Sequence, residues 1–336
     1  MTRLILHAPG VHTGGGLVLL QNLLSVPALP LALANLDARA LAHLPLRPDM
    51  TIHAVKPSAA ARLQAEVSLA RASTPESVVL CFHGMPPLLK PRGRVVVFLQ
   101  NRNYLGLEPA SAFDGRTRFR LPLERFLCRF FKGNVDEYIV QTPYMARATH
   151  AWHGGEPRIR VIPFLDGGPA AKPTGRKHDF IYVADGEAHK NHRGLLEAWK
   201  LLAAERLRPS LALTLEARFG NLLGEIARAV RAQSLRIDNL GLLPRDRLEQ
   251  AYRESGALVF PSTSESFGLP LVEASRHGLP IIASELDYVR DVCDPVQTFD
   301  PHSPTSIARA VRRFMAVPEP RPAVRSGSDF IHELLN

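Results

Sequence analysis

Short apolar runs of strand length alternate along the chain with segments whose apolar residues recur at helical spacing. In the first half, these runs predict strands at residues 3–7, 51–55, 78–82, 95–99, 137–141 and 159–164. Further along, they predict strands at 179–184, 211–216, 238–242, 257–260 and 280–283, and helices at 191–204, 220–232, 245–254 and 269–276. Strands that alternate with helices are typical of parallel sheets with helices on their faces, so the pattern predicts an α/β fold.

The alternation is interrupted once, by the small residues and prolines of residues 167–175. A stretch of this composition is typical of a connection between domains, and 336 residues are enough for about two domains. We therefore predict one α/β domain at residues 1–168 and a second at 176–317. Prolines at 318–322 precede a segment whose apolar residues again follow helical spacing, and this predicts a terminal segment, 318–336, that packs as a helix on the first domain.

Composition is that of an ordinary folded protein, with 46% hydrophobic and 22% charged residues. No apolar stretch approaches the roughly 20 residues of a membrane-spanning helix, and the start of the chain has no signal-peptide pattern, so we expect a cytoplasmic location. Cys81, Cys128 and Cys293 are far apart, which favours neither disulfides nor a cysteine metal site. The net charge of +9 fits a phosphorylated ligand, an anionic membrane surface or nucleic acid, and equally an arginine-rich solvated surface.

Candidate binding residues of the first half follow predicted strands, where open α/β sheets bind their ligands. Three consecutive glycines after the first strand leave backbone N–H groups accessible to a phosphate, although a glycine run is just as often a flexible turn. His83 ends another strand and could act on a hydroxyl, but a lone histidine is more often structural. The residues in question are Gly14, Gly15 and Gly16, His83, and, as acceptor-side candidates, His12, Gln100, Asn101 and Arg102.

The second half contains the more informative junctions. Lys190 follows the first strand of the second domain, where a cation could neutralise a phosphate. Glu265 lies in a loop of small residues and Glu273 lies one turn inside the next helix, so both carboxylates could meet one polyhydroxylated ligand. The helix start between them offers N–H groups to an anion, from Ser266, Phe267, Gly268 and Leu269. A capped amphipathic helix with a solvated Glu273 explains the same pattern equally well.

Taken together, these junctions resemble the GT-B-fold retaining glycosyltransferases of family 4, the group 1 glycosyltransferases. The resemblance is strongest over residues 180–311. It includes an E-x7-E motif from Glu265 to Glu273, the strand and loop 182–191, the segment N-L-G-L-L-P at 239–244 and the segment G-L-P-I-I-A-S at 278–284. The resemblance implies two Rossmann-like domains that face each other across a cleft.

The resemblance also implies a role for each matching residue. Glu273 would bind the ribose of a nucleotide, Glu265 the transferred sugar and Lys190 the diphosphate. The N–H groups of residues 266–269 would contact sugar and diphosphate, and Leu242 and Leu243 would lie beside the base. In the first domain, the three glycines would face the phosphates and His83 would line the reaction centre. Many family members have an arginine shortly before the lysine, where this chain has Asp185 and Gly186, and His189 is a candidate replacement.

The implied activity is retaining transfer of a sugar from a nucleotide sugar, such as a UDP- or GDP-sugar, to a saccharide or lipid-linked saccharide. Cell-surface polysaccharide or lipopolysaccharide synthesis is the expected context, at the inner face of the membrane. The chain has no D-x-D sequence, so we expect neither a metal nor a cofactor. Two alternatives are a nucleotide-sugar epimerase or hydrolase on the same fold and a basic nucleic-acid-binding protein. The chain has no Lys/Arg tract with interleaved aromatics to favour the latter.

Overall fold

A computed structural model of the protein describes residues 3–107, 115–165 and 175–317. The described chain forms two parallel sheets with helices between the strands, which confirms the predicted α/β fold. We refer to the parts built on these sheets as the N-terminal and C-terminal domains. Most of the predicted boundary at 167–175 and the whole predicted terminal segment 318–336 lie outside the described residues. The bounds 1–168 and 176–317 therefore stay predictions.

The N-terminal sheet has seven strands, all paired in parallel, in the order β3-β2-β1-β4-β5-β6-β7. Its strands are β1 (Arg3–Ala8), β2 (Leu31–Asp37), β3 (Ile52–Val55), β4 (Ser77–Cys81), β5 (Arg94–Phe98), β6 (Glu137–Val140) and β7 (Ile159–Val161), and its helices are α1 (Gly14–Leu24), α2 (Ala59–Ala72), α3 (Gly115–Phe130) and α4 (Pro143–His153). The strand order reverses direction between β1 and β4, which creates a crevice at their carboxyl ends.

The C-terminal sheet has six parallel strands in the order β10-β9-β8-β11-β12-β13. Its strands are β8 (His178–Tyr182), β9 (Leu211–Leu213), β10 (Ile237–Asn239), β11 (Ser255–Phe260), β12 (Ile281–Ser284) and β13 (Gln297–Phe299), and its helices are α5 (His192–Ala204), α6 (Gly220–Gln233), α7 (Arg245–Arg253), α8 (Leu269–Arg276), α9 (Asp287–Arg290) and α10 (Pro304–Phe314). Here the order reverses between β8 and β11, the strands that lead to Lys190 and Glu265.

Helix α5 shows how the sequence pattern builds the core of this domain. Its apolar residues recur three and four positions apart, so one face of the helix packs on the sheet. Leu195, Trp199 and Leu202 of that face are fully buried. The indole N–H of Trp199 donates to the carbonyl of Pro209 at 3.0 Å, which satisfies its buried polar group. The loop from β8 to α5 is thereby attached to a rigid base.

Helix α8 and its preceding loop connect the two domains. Leu269 and Val272 pack against the apolar cluster of the N-terminal domain, and the Arg276 guanidinium donates to the carbonyl of Leu165. A further contact between the domains involves the residue after α9, because the backbone N–H of Tyr144 donates to the Asp291 carboxylate at 2.7 Å. These contacts bring the carboxyl ends of both sheets to the same cleft.

None of the helices in the three described ranges combines the length and the apolar composition that a membrane span requires.

Candidate active site

A cavity of about 390 Å³ lies between the two domains. The N-terminal domain contributes the start of α1 and polar side chains that follow β5 and β6. The C-terminal domain contributes the loops after β8, β9, β10 and β11. The residues of both domains that line it include Thr13, Gly14, Gly15, Gln100, Gln141, Asp185, Lys190, Glu216, Arg218, Leu242, Leu243, Glu265, Ser266, Phe267, Gly268, Leu269 and Glu273.

Lys190 and Glu265 form an ion pair inside the cavity. The Lys190 Nζ and Glu265 Oε1 atoms are 2.7 Å apart, and the two side chains are only 15% and 11% exposed. Burial disfavours the Lys190 ammonium, but the nearby carboxylates of Glu265 and Asp185 outweigh that effect and raise the pKa of Lys190. Lys190 is therefore a fixed cation at neutral pH, at the place where the sequence predicts one.

Glu273 faces the same cavity from the second turn of α8. Its carboxylate accepts a hydrogen bond from the Tyr252 hydroxyl at 3.0 Å, and Arg245 Nη1 lies 4.0 Å away. Burial raises the pKa of Glu273, and the Tyr252 hydrogen bond and Arg245 only partly oppose that rise. Since this side chain is 14% exposed, the structure argues against the alternative of a solvated Glu273 on an amphipathic helix.

The loop between the glutamates is attached to the N-terminal domain at Ser266. Ser266 Oγ accepts a hydrogen bond from the backbone N–H of Arg102 at 3.1 Å, and its carbonyl accepts one from Thr142 Oγ1 at 3.4 Å. Gly268 caps α8 with a φ of 78°, in the left-handed region that suits glycine. The loop therefore presents the start of α8 to the cavity while it remains attached to the opposite domain.

The glycines of the N-terminal domain lie opposite that loop. The sequence pattern predicts that Gly14, Gly15 and Gly16 form a loop before a helix, but helix α1 begins at Gly14, so the three glycines form its first turn. A Cβ atom on Gly15 would lie 2.8 Å from Leu269 Cδ1. The Leu269 side chain thus occupies the space beside Gly15, where α1 and α8 approach each other across the cleft.

One end of the cavity is apolar. Leu242, Leu243 and Leu248 line it after β10, and Leu242 is largely exposed to the cleft. The Asn239 side chain fixes this segment, because it accepts from the N–H of Leu215 at 2.9 Å and donates to the Leu215 carbonyl at 3.0 Å. Such a wall suits a flat ring better than a charged group.

Arg218 is a cavity residue that the sequence reasoning missed. It follows β9, and its guanidinium lies 3.1 Å from Glu216 Oε2 and 4.7 Å from the centroid of the Phe219 ring. Phe219 packs over Gly186, where a Cβ atom would lie 2.5 Å from the ring. Gly186 therefore allows the loop after β9 to lie against the loop after β8, and this brings Arg218 to the cavity that contains Asp185 and Lys190. One indication in the sequence that Arg218 could be a site residue is its position just after a predicted strand.

His189 contributes differently from what the sequence suggests. Its carbonyl accepts hydrogen bonds from the N–H of Thr263 at 2.8 Å and from Thr263 Oγ1 at 3.2 Å. These bonds fasten the loop after β8 to the loop after β11. The His189 ring is not among the groups that line the cavity, whereas Arg218 is. Arg218 thus replaces His189 as the candidate for a second cation.

His83 follows β4 and lies outside the set of residues that line the cavity. Its Nδ1 is 3.2 Å from the carbonyl of His7, and the two rings meet edge to face. Burial, followed by the proximity of His7, lowers the pKa of His83 to about 3. The imidazole is consequently neutral over the physiological range.

The acceptor-side candidates divide into two groups. Gln100 lines the cavity and donates to the carbonyl of Phe82 at 2.6 Å. Asn101 caps the 3₁₀ turn at Arg102–Leu105 through its side chain, and the Arg102 guanidinium lies 5.8 Å from the Tyr144 ring. His12 Nδ1 is 3.0 Å from the carbonyl of Gly10 and 3.9 Å from Asp37. Of these four residues, the structure brings only Gln100 to the cavity.

Within the residues that the structure describes, no group of three or more His, Cys, Asp or Glu side chains is placed to hold a metal ion.

Comparisons with known proteins agree with this architecture. Residues 170–327 match the family model for glycosyl transferases group 1. The chain is 34% identical over 115 residues to O-antigen chain mannosyltransferase B from Escherichia coli, a match that covers 33% of this chain and 30% of that relative. The chain thus spans less than a third of the length of the curated relatives it matches.

Solved structures match over a larger part of the chain. The Anabaena protein Alr3699/HepE, crystallised with UDP and glucose, has a TM-score of 0.65 at 13% identity, with 94% of this chain and 90% of that chain covered. The lipopolysaccharide outer core galactosyltransferase WaaB has a TM-score of 0.60 at 14% identity, with the same coverage. These likenesses confirm the GT-B fold. The chain therefore combines the GT-B fold with a segment, residues 170–327, that is similar to glycosyl transferases group 1.

Proposed function

We propose that the protein is a retaining, metal-independent glycosyltransferase of family 4 that moves a sugar from a nucleoside diphosphate sugar to a saccharide or lipid-linked saccharide acceptor. The observation that carries the proposal is the convergence of Lys190, Glu265 and Glu273 on one cavity between two parallel sheets. A fixed cation, two carboxylates and a helix N-terminus are suited to a phosphorylated sugar, which is at once anionic and rich in hydroxyl groups.

The proposed chemistry follows from the charge that develops during the reaction. Cleavage of the bond between sugar and diphosphate places negative charge on the phosphate and positive character on the sugar. Lys190 and the N–H groups of residues 266–269 would stabilise the departing phosphate. Glu265 is already paired with Lys190 at 2.7 Å, so we assign it to positioning the sugar and the lysine and not to covalent attack. The acceptor hydroxyl would then attack on the face from which the diphosphate leaves.

The same cavity accounts for a nucleotide. Glu273 would accept hydrogen bonds from the ribose hydroxyls, and Leu242 and Leu243 would pack on the base of a UDP- or GDP-sugar. Arg218 would supply a second cation for the diphosphate, in place of the family arginine that is absent at Asp185. In this reading the nucleotide sugar is a substrate, and no metal or other cofactor takes part.

The N-terminal domain would bind the acceptor. Gly14 and Gly15, which line the cavity with Gly16 next to them in the chain, would let the phosphates approach the first turn of α1. His83 lies outside the cavity lining, so as a neutral imidazole it would act on the reaction centre through the residues around it. Gln100 would contact the acceptor directly, with His12, Asn101 and Arg102 further out. Given the relatives that act on O-antigen and lipopolysaccharide, we place the reaction in cell-surface polysaccharide or lipopolysaccharide synthesis, on the cytoplasmic side of the membrane.

The decisive test is thermal stabilisation by a panel of UDP-, GDP-, CMP- and ADP-sugars, followed by product analysis. A ligand that binds only the folded state raises the melting temperature with its concentration. We expect one nucleotide class to stabilise the protein, and the transferred product to keep the anomeric configuration of the donor by NMR. Activity should survive a chelator of divalent cations.

The alternatives give different results in the same assays. An epimerase or hydrolase would convert the donor when no acceptor is present. A nucleic-acid-binding protein would bind DNA or RNA with a steep dependence on salt and would not distinguish nucleotide sugars. Either result would replace the proposed function.

A further inference from the structure

Helix α3 exposes four large apolar side chains to solvent. Phe119, Leu123, Phe126 and Phe130 are 82%, 60%, 60% and 68% exposed. They are spaced four, three and four positions apart, so at about 100° per residue they fall within an arc of about 60° on the helix. Single exposed apolar residues are common on protein surfaces, but a continuous stripe of this kind marks an interaction surface.

The opposite face attaches α3 firmly to the N-terminal domain. Leu121 and Cys128 are buried, and so is Glu124, which lies 3.0 Å from the Arg120 guanidinium. Arg125 Nε donates to the carbonyl of Asn103 at 2.7 Å. The helix therefore cannot simply roll to hide the stripe, which stays directed outward.

The charges beside the stripe are almost all positive. Helix α3 contains five arginines and a single acidic residue, Glu124, and that carboxylate is buried and paired with Arg120. Arg118 and Arg129 are exposed on one flank of the stripe and Arg120 on the other. An apolar stripe bordered by arginines is complementary to the surface of an anionic bilayer, where apolar side chains enter the interface and the guanidinium groups meet lipid phosphates.

We propose that helix α3 binds the protein to a membrane that contains anionic phospholipid, with Phe119, Leu123, Phe126 and Phe130 inserted at the interface. The helix packs against the 3₁₀ turn at Arg102–Leu105, through the bond from Arg125 to Asn103. Arg102 of the same turn donates its backbone N–H to Ser266 at the cavity. Binding through α3 would thus hold one rim of the cleft close to the bilayer.

This position has a consequence for the acceptor. A saccharide attached to a lipid in the same bilayer would meet the cleft by diffusion in two dimensions, which favours a lipid-linked acceptor over a soluble one. That consequence rests on the proposed glycosyl transfer. The binding of α3 to membranes rests only on the helix itself.

Co-sedimentation of the full chain with vesicles tests the proposal. Vesicles of phosphatidylcholine with about a third phosphatidylglycerol should bind the protein, vesicles of phosphatidylcholine alone should bind it much less, and added salt should weaken the binding. Phe126→Gln/Phe130→Gln should lower the partition coefficient about tenfold or more. Arg118→Gln/Arg129→Gln should lower it by about fivefold for each arginine near the surface.

The matched control is Leu63→Gln/Leu201→Gln, which replaces two exposed leucines of α2 and α5. This variant should bind vesicles like the parent. The proposal is wrong if the parent does not sediment with anionic vesicles, or if the control loses binding as much as the α3 variants. It is also wrong if light scattering shows a dimer that dissociates in Phe126→Gln/Phe130→Gln, because the stripe would then contact a second copy.

Failure of the membrane proposal and failure of the proposed function can be told apart. Stabilisation by nucleotide sugars is measured without vesicles and should be the same in the parent and in all three variants. If the protein binds vesicles but no nucleotide sugar stabilises it, the proposed glycosyl transfer is wrong and the proposed membrane binding of α3 stands. If a nucleotide sugar stabilises the protein but the protein does not bind vesicles, the proposed membrane binding is wrong and the proposed glycosyl transfer stands.

Discussion

The ion pair between Lys190 and Glu265 allows a quantitative test of the site, through the substitution Lys190→Met. Methionine keeps an unbranched chain but removes the ammonium, so Glu265 loses a partner 2.7 Å away in a largely buried position. Removal of one member of a buried ion pair costs roughly 3–5 kcal/mol, and the opening of the cleft to water favours the lower end, about 3 kcal/mol. For domains of this size, that corresponds to a fall of roughly 6–12 °C in melting temperature.

The assay is thermal unfolding of the parent, of Lys190→Met and of the double variant Lys190→Met/Glu265→Gln. The double variant removes both charges and leaves uncharged groups of similar shape. Replacement of a whole buried ion pair in this way often changes the free energy of unfolding very little. We expect it to recover most of the loss, to within about 1 kcal/mol of the parent, and we expect both variants to lose sugar transfer. Activity and stability are thereby separated, because the double variant is stable and inactive.

Two results would refute this reasoning. If Lys190→Met were as stable as the parent, the pair would not be buried as described. If the double variant were as unstable as the single one, the loss would come from packing of the lysine chain and not from an unpaired carboxylate. Retained turnover in both variants would remove Lys190 from the proposed chemistry.

Three further predictions concern the nucleotide. Glu273→Gln should weaken nucleoside diphosphate binding by about tenfold or more without a change in fold, as measured by calorimetry, since a hydrogen bond to a charged group is worth roughly 1.5–3 kcal/mol. Tyr252→Phe removes the hydrogen bond that lowers the pKa of Glu273, so that pKa rises further. Because the proposed ribose contact needs the carboxylate, the affinity for a nucleoside diphosphate should fall more steeply in this variant than in the parent as the pH is lowered from about 8 to 6. Tyr138→Phe is the control, since the Tyr138 hydroxyl is buried and has no hydrogen-bond partner in the described part of the chain; equal pH profiles in the two variants would contradict the prediction. Arg218→Ala should weaken binding of a nucleoside diphosphate by about tenfold and leave the nucleoside unaffected, and equal losses for both ligands would show that Arg218 does not contact the diphosphate.

Much of the fold was predictable because most strands are short, apolar and β-branched or aromatic, and the observed strands lie within a few residues of the predicted ones. Strand β2 was not predicted. Its residues Leu31–Asp37 are leucine, alanine, asparagine and aspartate, which have no preference for strands. Their pairing with β1 on one side and β3 on the other is what makes them a strand. The apolar pattern did not predict strand β13 for a related reason, because three residues carry too little pattern without the neighbouring β12. Only the family resemblance indicated a closing strand, at Phe299.

The candidate site was predictable wherever one strand, loop and helix contain all the relevant residues. Lys190, Glu265 and Glu273 were found for this reason, since each ends or follows a recognisable strand. Arg218 was missed because its role depends on contact between two loops, which Gly186 permits by leaving space for the Phe219 ring. No local pattern could have placed that guanidinium near Lys190.

The loop that precedes α8 both lines the cavity and contacts the N-terminal domain, and this couples the proposed donor site to the arrangement of the domains. Its residues line the cavity, yet Ser266 is bonded to Arg102 and Thr142 of the other domain, and Leu269 contacts the first turn of α1 at Gly15. A ligand that moved this loop would have to break contacts between the domains, and any separation of the domains would release the loop. Residues 266–269, which are proposed to bind the diphosphate, are therefore held in place by the N-terminal domain before any ligand binds. For the same reason, a substitution at this contact can alter donor affinity without touching the donor.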